Sequence, residues 1–453
     1  MGGTFTSMNK IRPDTYINFV AVPQQSDGLS NRGVVTFATN LDWGASNTLI
    51  ELYSTDLTDG SSFSKVGLTA YSGSASQIFR EALRGCAKAL VWRLNGNGIQ
   101  ATATDKSGLS ATALYSGVLG NSIAITSTQK GTTNVFDIST VVNGEVMDTQ
   151  TIATYDQLVS NDWVTFSSDI GKAAKSIAGM QLSGGVNGTP TVGSSGTIFT
   201  PYFTALQSNT QWNTLAALDV TATDTSISNE AAALVTYMRE TKGIKVQAVV
   251  LNFPQANYEG IISISQGYTT DSESIQPTIF AATIAGLTAG AEPNQSLTNY
   301  VIPSATGIIN PMTDDQINTA LANGQMVIAQ RQDGQIAIVQ DINTLYLVPT
   351  NKNSDWQKNR IIRTLDDIAT FCQITGIQRY IGMISNDDTG RNLLKSEIIA
   401  HLNQLVAIEC IQSFDSSKDI VISQGDEIND VVIQLWIQPI DAVEKIYITV
   451  NVT

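Results

Sequence analysis

The chain has 453 residues, of which 42% are hydrophobic and only 14% are charged, and its formal net charge is −15. This length exceeds that of one average domain, and the hydrophobic content suffices for several ordinary cores. An acidic chain lacks the extended basic surface that binds nucleic acids or anionic membranes, so we expect neither nucleic-acid binding nor direct membrane insertion.

The cysteines and the N-terminal sequence bear on the cellular compartment. Cys86, Cys372 and Cys410 are an odd number without metal-ligand spacing, which favours reduced thiols in a cytoplasmic setting and predicts no zinc site. The N-terminus lacks the apolar segment of a signal peptide, and no apolar run reaches the roughly 18 residues of a membrane span. We therefore expect a protein that is neither exported by a signal peptide nor embedded in a bilayer.

The first predicted elements alternate strands with a helix. An alternating stretch that includes Tyr16–Val20 predicts a strand close to the N-terminus. An apolar strand at 33–38, an amphipathic helix at 74–88 and a second apolar strand at 89–94 follow it. This order is typical of a β-α-β unit.

Residues 99–189 have a different character, because short strands rich in Thr, Ser and Gly replace the α/β order. Asn143-Gly144 stands between two alternating stretches and predicts a tight hairpin. The glycine-rich segment at 182–196 then closes the region. We predict an all-β insertion here.

The α/β order resumes after this insertion. We predict Ser228 and Thr313 as helix N-caps, the latter in a capping box with Gln316, and Gly243 and Gly324 as helix stops. The predicted elements are strands at 212–219, 245–252 and 260–265, helices at 229–241, 277–290 and 314–323, and a hairpin turned at Asp333-Gly334.

The last hundred residues predict two helices followed by strands. Ser354 and Gln357 suggest a capping box for a helix at 355–372, and a second helix covers 391–408. Strands are predicted at 419–423 and 430–440. The chain ends on a period-two pattern in which apolar and polar residues alternate up to the last residue; its apolar members are Ile446, Ile448, Val450 and Val452.

The search for catalytic groups finds little. The single histidine, His401, lies beside an apolar helical stripe and is interpreted as a core residue, so no Ser-His-Asp triad is indicated. The glycines at 184–196 lack the strand, the helix and the Gly-Lys-Ser/Thr signature of a phosphate loop. We read the acidic segments at 56–60 and 386–390 as turns rather than cation sites. Asp219, after a predicted strand, offers the best enzyme-like loop.

One helix carries a distinctive set of charges. At about 100° per residue, Ile361 and Ile368 share one face of the helix at 355–372, while Arg360 and Arg363 lie on the opposite face with Lys358 nearby. Two interpretations are open for this basic face. It is either a solvated surface with an Arg363–Asp367 pair, or a docking surface for an acidic partner.

Five segments, in order along the chain, closely resemble the contractile tail sheath proteins of myophages, prophages and phage-tail-like bacteriocins of Gram-positive bacteria. They are "GGTFTSMNKIRPDTYINF", "LYSGVLGNSIAI", "LSGGVNG", "INTLYLVPTNKNSDWQKNRIIRTLDDI" and "VEKIYITVNV". The chain departs from these relatives at Pro13-Asp14, where they often carry Pro-Gly before the first strand.

The resemblance implies a non-enzymatic structural subunit without cofactors or metals. Such subunits form stacked sixfold rings around an inner tube and contract to drive the tube through a target envelope. The implied partners are further copies of the chain, the tail tube protein, and the baseplate and tail terminator proteins. The implied location is a virion tail or phage-tail-like particle assembled in the bacterial host cytoplasm.

The resemblance also implies roles for particular residues. Terminal strands would join the sheet of a neighbouring subunit by β-augmentation. Tube contact would fall to Lys358, Arg360 and Arg363, which favours the docking interpretation of the basic face. The residues implied in strand exchange are Tyr16, Ile17, Asn18, Phe19, Val20, Ile433, Leu435, Ile437, Ile446, Ile448, Val450 and Val452.

We therefore predict a multidomain protein of α/β and α+β class. Residues 1–22 form an arm with an exchange strand, residues 23–98 and 190–348 a discontinuous mixed α/β central domain, residues 99–189 an outward-facing all-β insertion, and residues 349–453 an α+β inner domain with a C-terminal strand arm. The alternatives are a nucleotide- or sugar-processing α/β enzyme that uses the Asp219 loop, and a surface adhesin whose insertion binds a receptor.

Overall fold

The computed structural model describes residues 33–68, 73–190, 198–218 and 226–452. The predicted strand at Tyr16–Val20 and the loop that begins at Asp219 lie outside these ranges. Within them the chain is a multidomain mixture of α/β and α+β parts, which confirms the predicted fold class.

Strands are numbered here in chain order. They are β1 Val34–Thr39, β2 Leu49–Tyr53, β3 Lys88–Arg93, β4 Gln100–Thr104, β5 Ser110–Ser116, β6 Ile123–Gln129, β7 Phe136–Val142, β8 Glu145–Ile152, β9 Val164–Ser167, β10 Ile177–Gln181, β11 Thr214–Ala216, β12 Gln247–Leu251, β13 Ile261–Ile264, β14 Gly267–Thr269, β15 Ser274–Ile275, β16 Gly307–Ile309, β17 Ile328–Gln330, β18 Ile336–Ile338, β19 Ile420–Gln424 and β20 Val431–Leu435.

The α-helices are α1 Asp56–Asp59, α2 Ser62–Val66, α3 Ser74–Ala82, α4 Thr200–Ser208, α5 Ser226–Thr236, α6 Pro277–Gly290, α7 Asp314–Ala322, α8 Asn359–Thr375 and α9 Asp388–Ala407. Short π-helical turns at Tyr237–Thr241 and Gly376–Tyr380 extend α5 and α8. None of the described helices is both long and apolar enough to cross a membrane.

A six-stranded sheet in the order β13-β12-β11-β1-β3-β2 forms the centre of the molecule. Its neighbouring strands are parallel except for β2, which pairs antiparallel with β3. Strand residues alternate between the two faces, so Val35 and Phe37 pack in one core with α3 and α6, whereas Ala38 and Leu90 pack in another with α4 and α5. Helices on both faces bury this mostly parallel sheet.

The predicted all-β region folds around its own core. β10-β6-β7-β8 and β4-β5-β9 form two antiparallel sheets, and Trp163 and Ile125 are among the side chains buried between them. The predicted hairpin joins β7 to β8, where Asn143 and Gly144 have φ values of 52° and 88°. Positive φ at both positions is the signature of a type I′ turn, which explains the Asn-Gly pair.

The C-terminal part contains α8, α9 and an antiparallel pair of strands, β19 and β20. Leu394, Ile398, Leu402 and Leu405 recur on one face of α9 at helical spacing and form a small core with Ile420 of β19. We call β19 and β20, with the turn between them, the C-terminal hairpin.

Several local predictions are confirmed. The Thr313–Gln316 capping box starts α7, and Gly324 follows that helix with φ 74°. Pro277 occupies the first turn of α6, and β17 pairs with β18 across the Asp333-Gly334 turn.

Two capping predictions are wrong. α5 begins at Ser226, so Ser228 is a buried residue inside the helix and not its N-cap. Ser354 and Gln357 lie in a separate 3₁₀ turn, and Lys358 then adopts extended dihedrals (φ −87°, ψ 121°) before α8 begins at Asn359. The polar spacing of a capping box is present there, but one extended residue separates it from the helix.

The final predicted strand has no partner within the described residues. Residues 441–452 form no ladder with another segment, although the alternation of apolar residues is clear.

Glycine permits a close contact between helices α3 and α6 of the central domain. A Cβ on Gly286 would lie 2.0 Å from the carbonyl oxygen of Ala82, whereas a Cβ on the helical Gly376 would meet nothing within 4 Å. We expect Gly286→Ala to lower the free energy of unfolding by about 1–3 kcal/mol, because α6 must move away from α3. Gly376→Ala is the control and should leave stability unchanged or raise it by up to about 1 kcal/mol. Denaturant unfolding measures both; equal effects would contradict the close contact.

Candidate assembly interface

The C-terminal hairpin has two open edges. β19 and β20 pair with each other from Ile420↔Leu435 to Gln424↔Val431, and within the described residues neither strand pairs with a third one. Ile422, Leu435 and Ile437 are half-buried against the core beneath the hairpin, while Ile433 is 36% exposed. Unpaired backbone groups on such edges are a template for a strand from another chain.

The segment after the hairpin is apolar and exposed. Residues 441–452, the C-terminal arm, are extended, and the four apolar side chains of its terminal pattern have exposures between 77% and 93%; they are Ile446, Ile448, Val450 and Val452. Among the described residues neither its backbone nor its apolar face has a strand partner, and a lone strand of this kind is not stable in water. The arm therefore carries the features of a strand that pairs outside its own subunit.

The basic face predicted for the helix at 355–372 is not exposed. Arg363 is fully buried, and its guanidinium donates to the carboxylate of Asp341 at 2.8 Å and to the carbonyl of Gln295. Arg360 is 8% exposed and donates to the carbonyl of Glu409 at 3.1 Å.

Lys358 is likewise engaged, in an ion pair with Glu444 of the arm. The expectation of a solvated face with an Arg363–Asp367 pair is therefore wrong, because α8 is packed on both sides. Contact between these three cations and a tube stays a prediction, and in the isolated chain each of them already has an internal partner.

Asp341 lies at the junction between the central domain and α8. Its carboxylate, 1% exposed, accepts from Arg363, from the side-chain amide of Asn359 at 2.8 Å and from the backbone N–H of Leu297 at 3.0 Å. The N–H of Asp341 donates to Thr298 Oγ1 at 2.9 Å. We call Asp341, Asn359, Arg363, Leu297 and Thr298 the junction cluster.

A second buried ion pair joins the same two parts of the chain. Arg239, in the turn after α5, donates two hydrogen bonds of 2.8 Å to the two carboxylate oxygens of Asp366 on α8. Both side chains are only 4% exposed. Two-point recognition of this type fixes the orientation as well as the distance of the helix.

The segment after α8 forms an exposed apolar surface that the sequence analysis does not predict. Ile377, Ile381, Met383 and Ile384 have exposures between 41% and 72%, and Asn386 donates from this turn to the carbonyls of Ile428 and Asp430 in the C-terminal hairpin. The dense run of large apolar residues between two helices is the signal in the sequence, but its spacing fits neither helix nor strand and does not show whether the run is exposed.

The candidates for chemistry are structural. His401 is 2% exposed, stacks on Phe371 with ring centroids 3.9 Å apart, and places Nε2 2.9 Å from Oδ2 of Asp367, as its interpretation as a core residue predicts. The three cysteines are free; burial raises the pKa of Cys86 to about 12 and that of Cys410 to about 11. These thiols are therefore protonated at neutral pH and are weak nucleophiles.

The acidic turns also have structural roles. Asp387 caps α9 by accepting from the N–H of Gly390 at 2.8 Å. Asp56 accepts from the N–H of Tyr53 at 2.8 Å and pairs with Lys65 at 2.6 Å. Within the described residues, no group of three or more His, Cys, Asp or Glu side chains is arranged to hold a metal ion.

Comparison with protein families gives three matches that follow the order of the fold. Residues 96–187 match the phage tail sheath protein beta-sandwich domain, residues 199–344 match the phage tail sheath protein central domain, and residues 351–453 match the phage tail sheath C-terminal domain.

Individual relatives match along nearly their whole length. The phage-like element PBSX protein XkdK of Bacillus subtilis (strain 168) is 31% identical over 100% of this chain and 99% of its own. The crystal structure of the sheath tail protein from Desulfitobacterium hafniense is 33% identical, covers 96% of this chain and 99% of its own, and superposes with a TM-score of 0.77.

A more distant structure shares the fold alone. The anti-feeding prophage helical sheath in its contracted state has a TM-score of 0.55 at 11% identity, covering 99% of both chains.

The burial of Arg363 yields a test of its internal role. We expect Arg363→Met to lower the free energy of unfolding of the isolated chain by about 3–5 kcal/mol, because the substitution leaves the buried carboxylate of Asp341 without its cation. Arg379→Met is the matched control: that side chain is 66% exposed, so its pair with Glu397 should contribute at most about 1 kcal/mol. Similar unfolding curves for both variants would contradict the internal role.

Proposed function

The chain belongs to the phage tail sheath protein family, and we propose that it is the repeating subunit of a contractile sheath whose neighbours are linked by exchanged terminal strands. Its role is structural and not enzymatic, since the matched families and relatives are sheath proteins. One observation carries the exchange proposal: within the described residues, an apolar, strand-patterned arm has no strand partner and belongs to the same chain as a hairpin with two open edges.

The dimensions of the arm support pairing with another subunit. Seven extended residues from 446 to 452 span about 23 Å, which is more than the five residues of β20 require. An arm that joins the hairpin of a neighbour would satisfy its backbone and cover its apolar face in a single step. Because the hairpin has edges on both β19 and β20, it can accept more than one such strand, and we assign the second to residues 16–20.

We propose that the exchange is not reciprocal between two subunits, so that it produces a polymer and not a closed dimer. Each subunit donates arms to some neighbours and accepts them from others, and a head-to-tail contact of this kind closes into rings or continues as a helix. We propose stacked sixfold rings around an inner tube, with the all-β region facing outward and the C-terminal domain facing the tube.

Contraction does not require nucleotide hydrolysis. We propose that the extended sheath is held in a metastable packing by its tube and baseplate, and that release lets subunits rotate as rigid bodies into a packing of lower free energy. The fold shared with a sheath in its contracted state is compatible with such a packing. The exchanged strands would keep neighbours attached while the subunits rotate.

The remaining partners follow from this arrangement. A sheath of finite length needs a baseplate at one end and a terminator protein at the other, and we propose both as partners alongside the tube protein. The particle is a virion tail or phage-tail-like particle, assembled in the cytoplasm of the bacterial host.

The exchange proposal depends on one face of the arm. We expect removal of residues 446–453, or the pair Ile448→Asn and Val450→Asn, to abolish tubular polymers seen by negative-stain electron microscopy, because the apolar face would no longer be buried on a neighbour. The control exchanges two polar residues on the opposite face, Thr449→Asn with Asn451→Thr, which keeps the composition and should preserve assembly. Tubes of normal length and number from the truncated chain would contradict strand exchange.

A further inference from the structure

The C-terminal arm is attached to its own subunit along a short path. After β20, the N–H of Gln412 donates to the carbonyl of Gln438 at 2.9 Å, and the N–H of Ile440 donates to the carbonyl of Cys410 at 2.8 Å. Glu444 is the last residue of the described arm that forms side-chain hydrogen bonds with the body of the subunit. Beyond it the exposed strand begins.

Glu444 has three partners from two domains. One carboxylate oxygen accepts from Thr298 Oγ1 at 3.0 Å, and the other accepts from the side chains of Gln340 and Lys358. Thr298 and Gln340 lie in the region matched by the central domain, whereas Lys358 immediately precedes α8. We call these contacts of Glu444 the arm anchor.

The environment of Glu444 favours its charged form. Burial opposes ionisation, but the hydrogen bonds from Lys358 and Gln340 outweigh it and hold the pKa of Glu444 below its ordinary value. The Glu444 side chain is 13% exposed and that of Lys358 is 18% exposed, so the pair is far more shielded from solvent than an ordinary surface ion pair.

The arm anchor is continuous with the junction cluster. Thr298 Oγ1 donates to Glu444 and accepts from the N–H of Asp341, whose carboxylate binds Arg363 and Asn359 of α8. A chain of hydrogen bonds therefore runs from the root of the arm to the buried ion pair between the two domains.

We propose that Glu444 is the positioning residue of the exchanged strand. It holds the root of the arm against the junction between the central and C-terminal domains, so that residues 446–452 leave the subunit at a fixed point and load on the strand is carried to that junction. The inference rests on the proposed strand exchange. It adds the residue that anchors the arm, the point at which the arm leaves the subunit, and the hydrogen bonds that connect this point to the junction cluster. It also assigns Lys358 to the arm rather than to a tube.

Hydrogen exchange of the monomer tests the anchor without any need for assembly. In the full-length chain, with the monomeric fraction isolated by size exclusion, we expect Glu444→Gln to speed exchange at the amide of Ile440 by about ten-fold, because loss of a charge-assisted contact frees the arm root to open. Glu427→Gln, at an exposed acid in the turn of the C-terminal hairpin, is the matched control and should leave the rate unchanged. Equal rates in the two variants would overturn the anchor.

Assembly tests what the anchor is for. We expect Glu444→Gln and Lys358→Gln each to reduce the yield of ordered tubes several-fold, and the exchanged pair Lys358→Glu with Glu444→Lys to restore it, since a glutamate is well placed at the start of α8. A tube-contact role for Lys358 predicts the opposite, because reversed charge at 358 would stay harmful.

The outcomes separate this inference from the proposed function. If Glu444→Gln speeds hydrogen exchange at the Ile440 amide but still forms tubes of normal yield and order, the positioning role of Glu444 is overturned. Normal tubes from the chain that lacks residues 446–453 would instead overturn strand exchange. In that case the hydrogen-exchange rate of the Ile440 amide would still decide whether the arm anchor exists. If both single substitutions impair assembly and the double variant with Lys358→Glu and Glu444→Lys does not restore it, the result counts against the arm anchor. It would then favour contact of Lys358 with another protein.

Discussion

The buried carboxylate of Asp341 is the point at which the central domain, helix α8 and the C-terminal arm meet. This carboxylate accepts hydrogen bonds from Arg363 and Asn359 on α8 and from the backbone N–H of Leu297. The backbone N–H of Asp341 donates to Thr298 Oγ1, which in turn donates to Glu444. Burying these charges has a large desolvation cost, which good geometry offsets without a large surplus of stability. We therefore interpret the cluster as a device that fixes the orientation of α8 and the origin of the arm relative to the central sheet.

In the proposed polymer, the junction cluster and the C-terminal arm, which has no strand partner within the described residues, would have complementary roles. If each subunit is a rigid body, large rearrangements between subunits must be absorbed by the segments that connect them, and the arm beyond Glu444 is such a segment. A fixed exit point would convert rotation of the subunit into a defined displacement of the strand held by its neighbour. The two cores of the central sheet, built on Phe37 and Phe280 on one face and Trp212 and Leu215 on the other, give the body the packing that this role requires.

Local patterns predicted much of the fold. These patterns could be predicted because the signal and its physical cause lie within a few residues. Examples are the turn at Asn143-Gly144, the capping box of Thr313 with Gln316, and the apolar residues of β12 and α9. The burial and the partners of the charged side chains on α8 could not be predicted, because helical spacing shows which residues share a face but not what covers that face. Asp341 is 22 residues from Arg363 and Arg239 is 127 residues from Asp366, so only the tertiary fold turns an apparently solvated face into a buried one. The final strand shows the reverse case, because its pattern is clear but no strand pairs with it within the described residues.

The most direct test of this account is a cryo-electron microscopy map of the assembled polymer of the full-length chain, at a resolution that traces individual strands. We predict that residues 446–452 of each subunit lie as an added strand on an edge of the C-terminal hairpin of a neighbouring subunit, with Glu444 still held at Thr298, Gln340 and Lys358 of its own. A map in which this segment folds back onto its own hairpin, or makes no strand contact with a neighbour, would contradict the account.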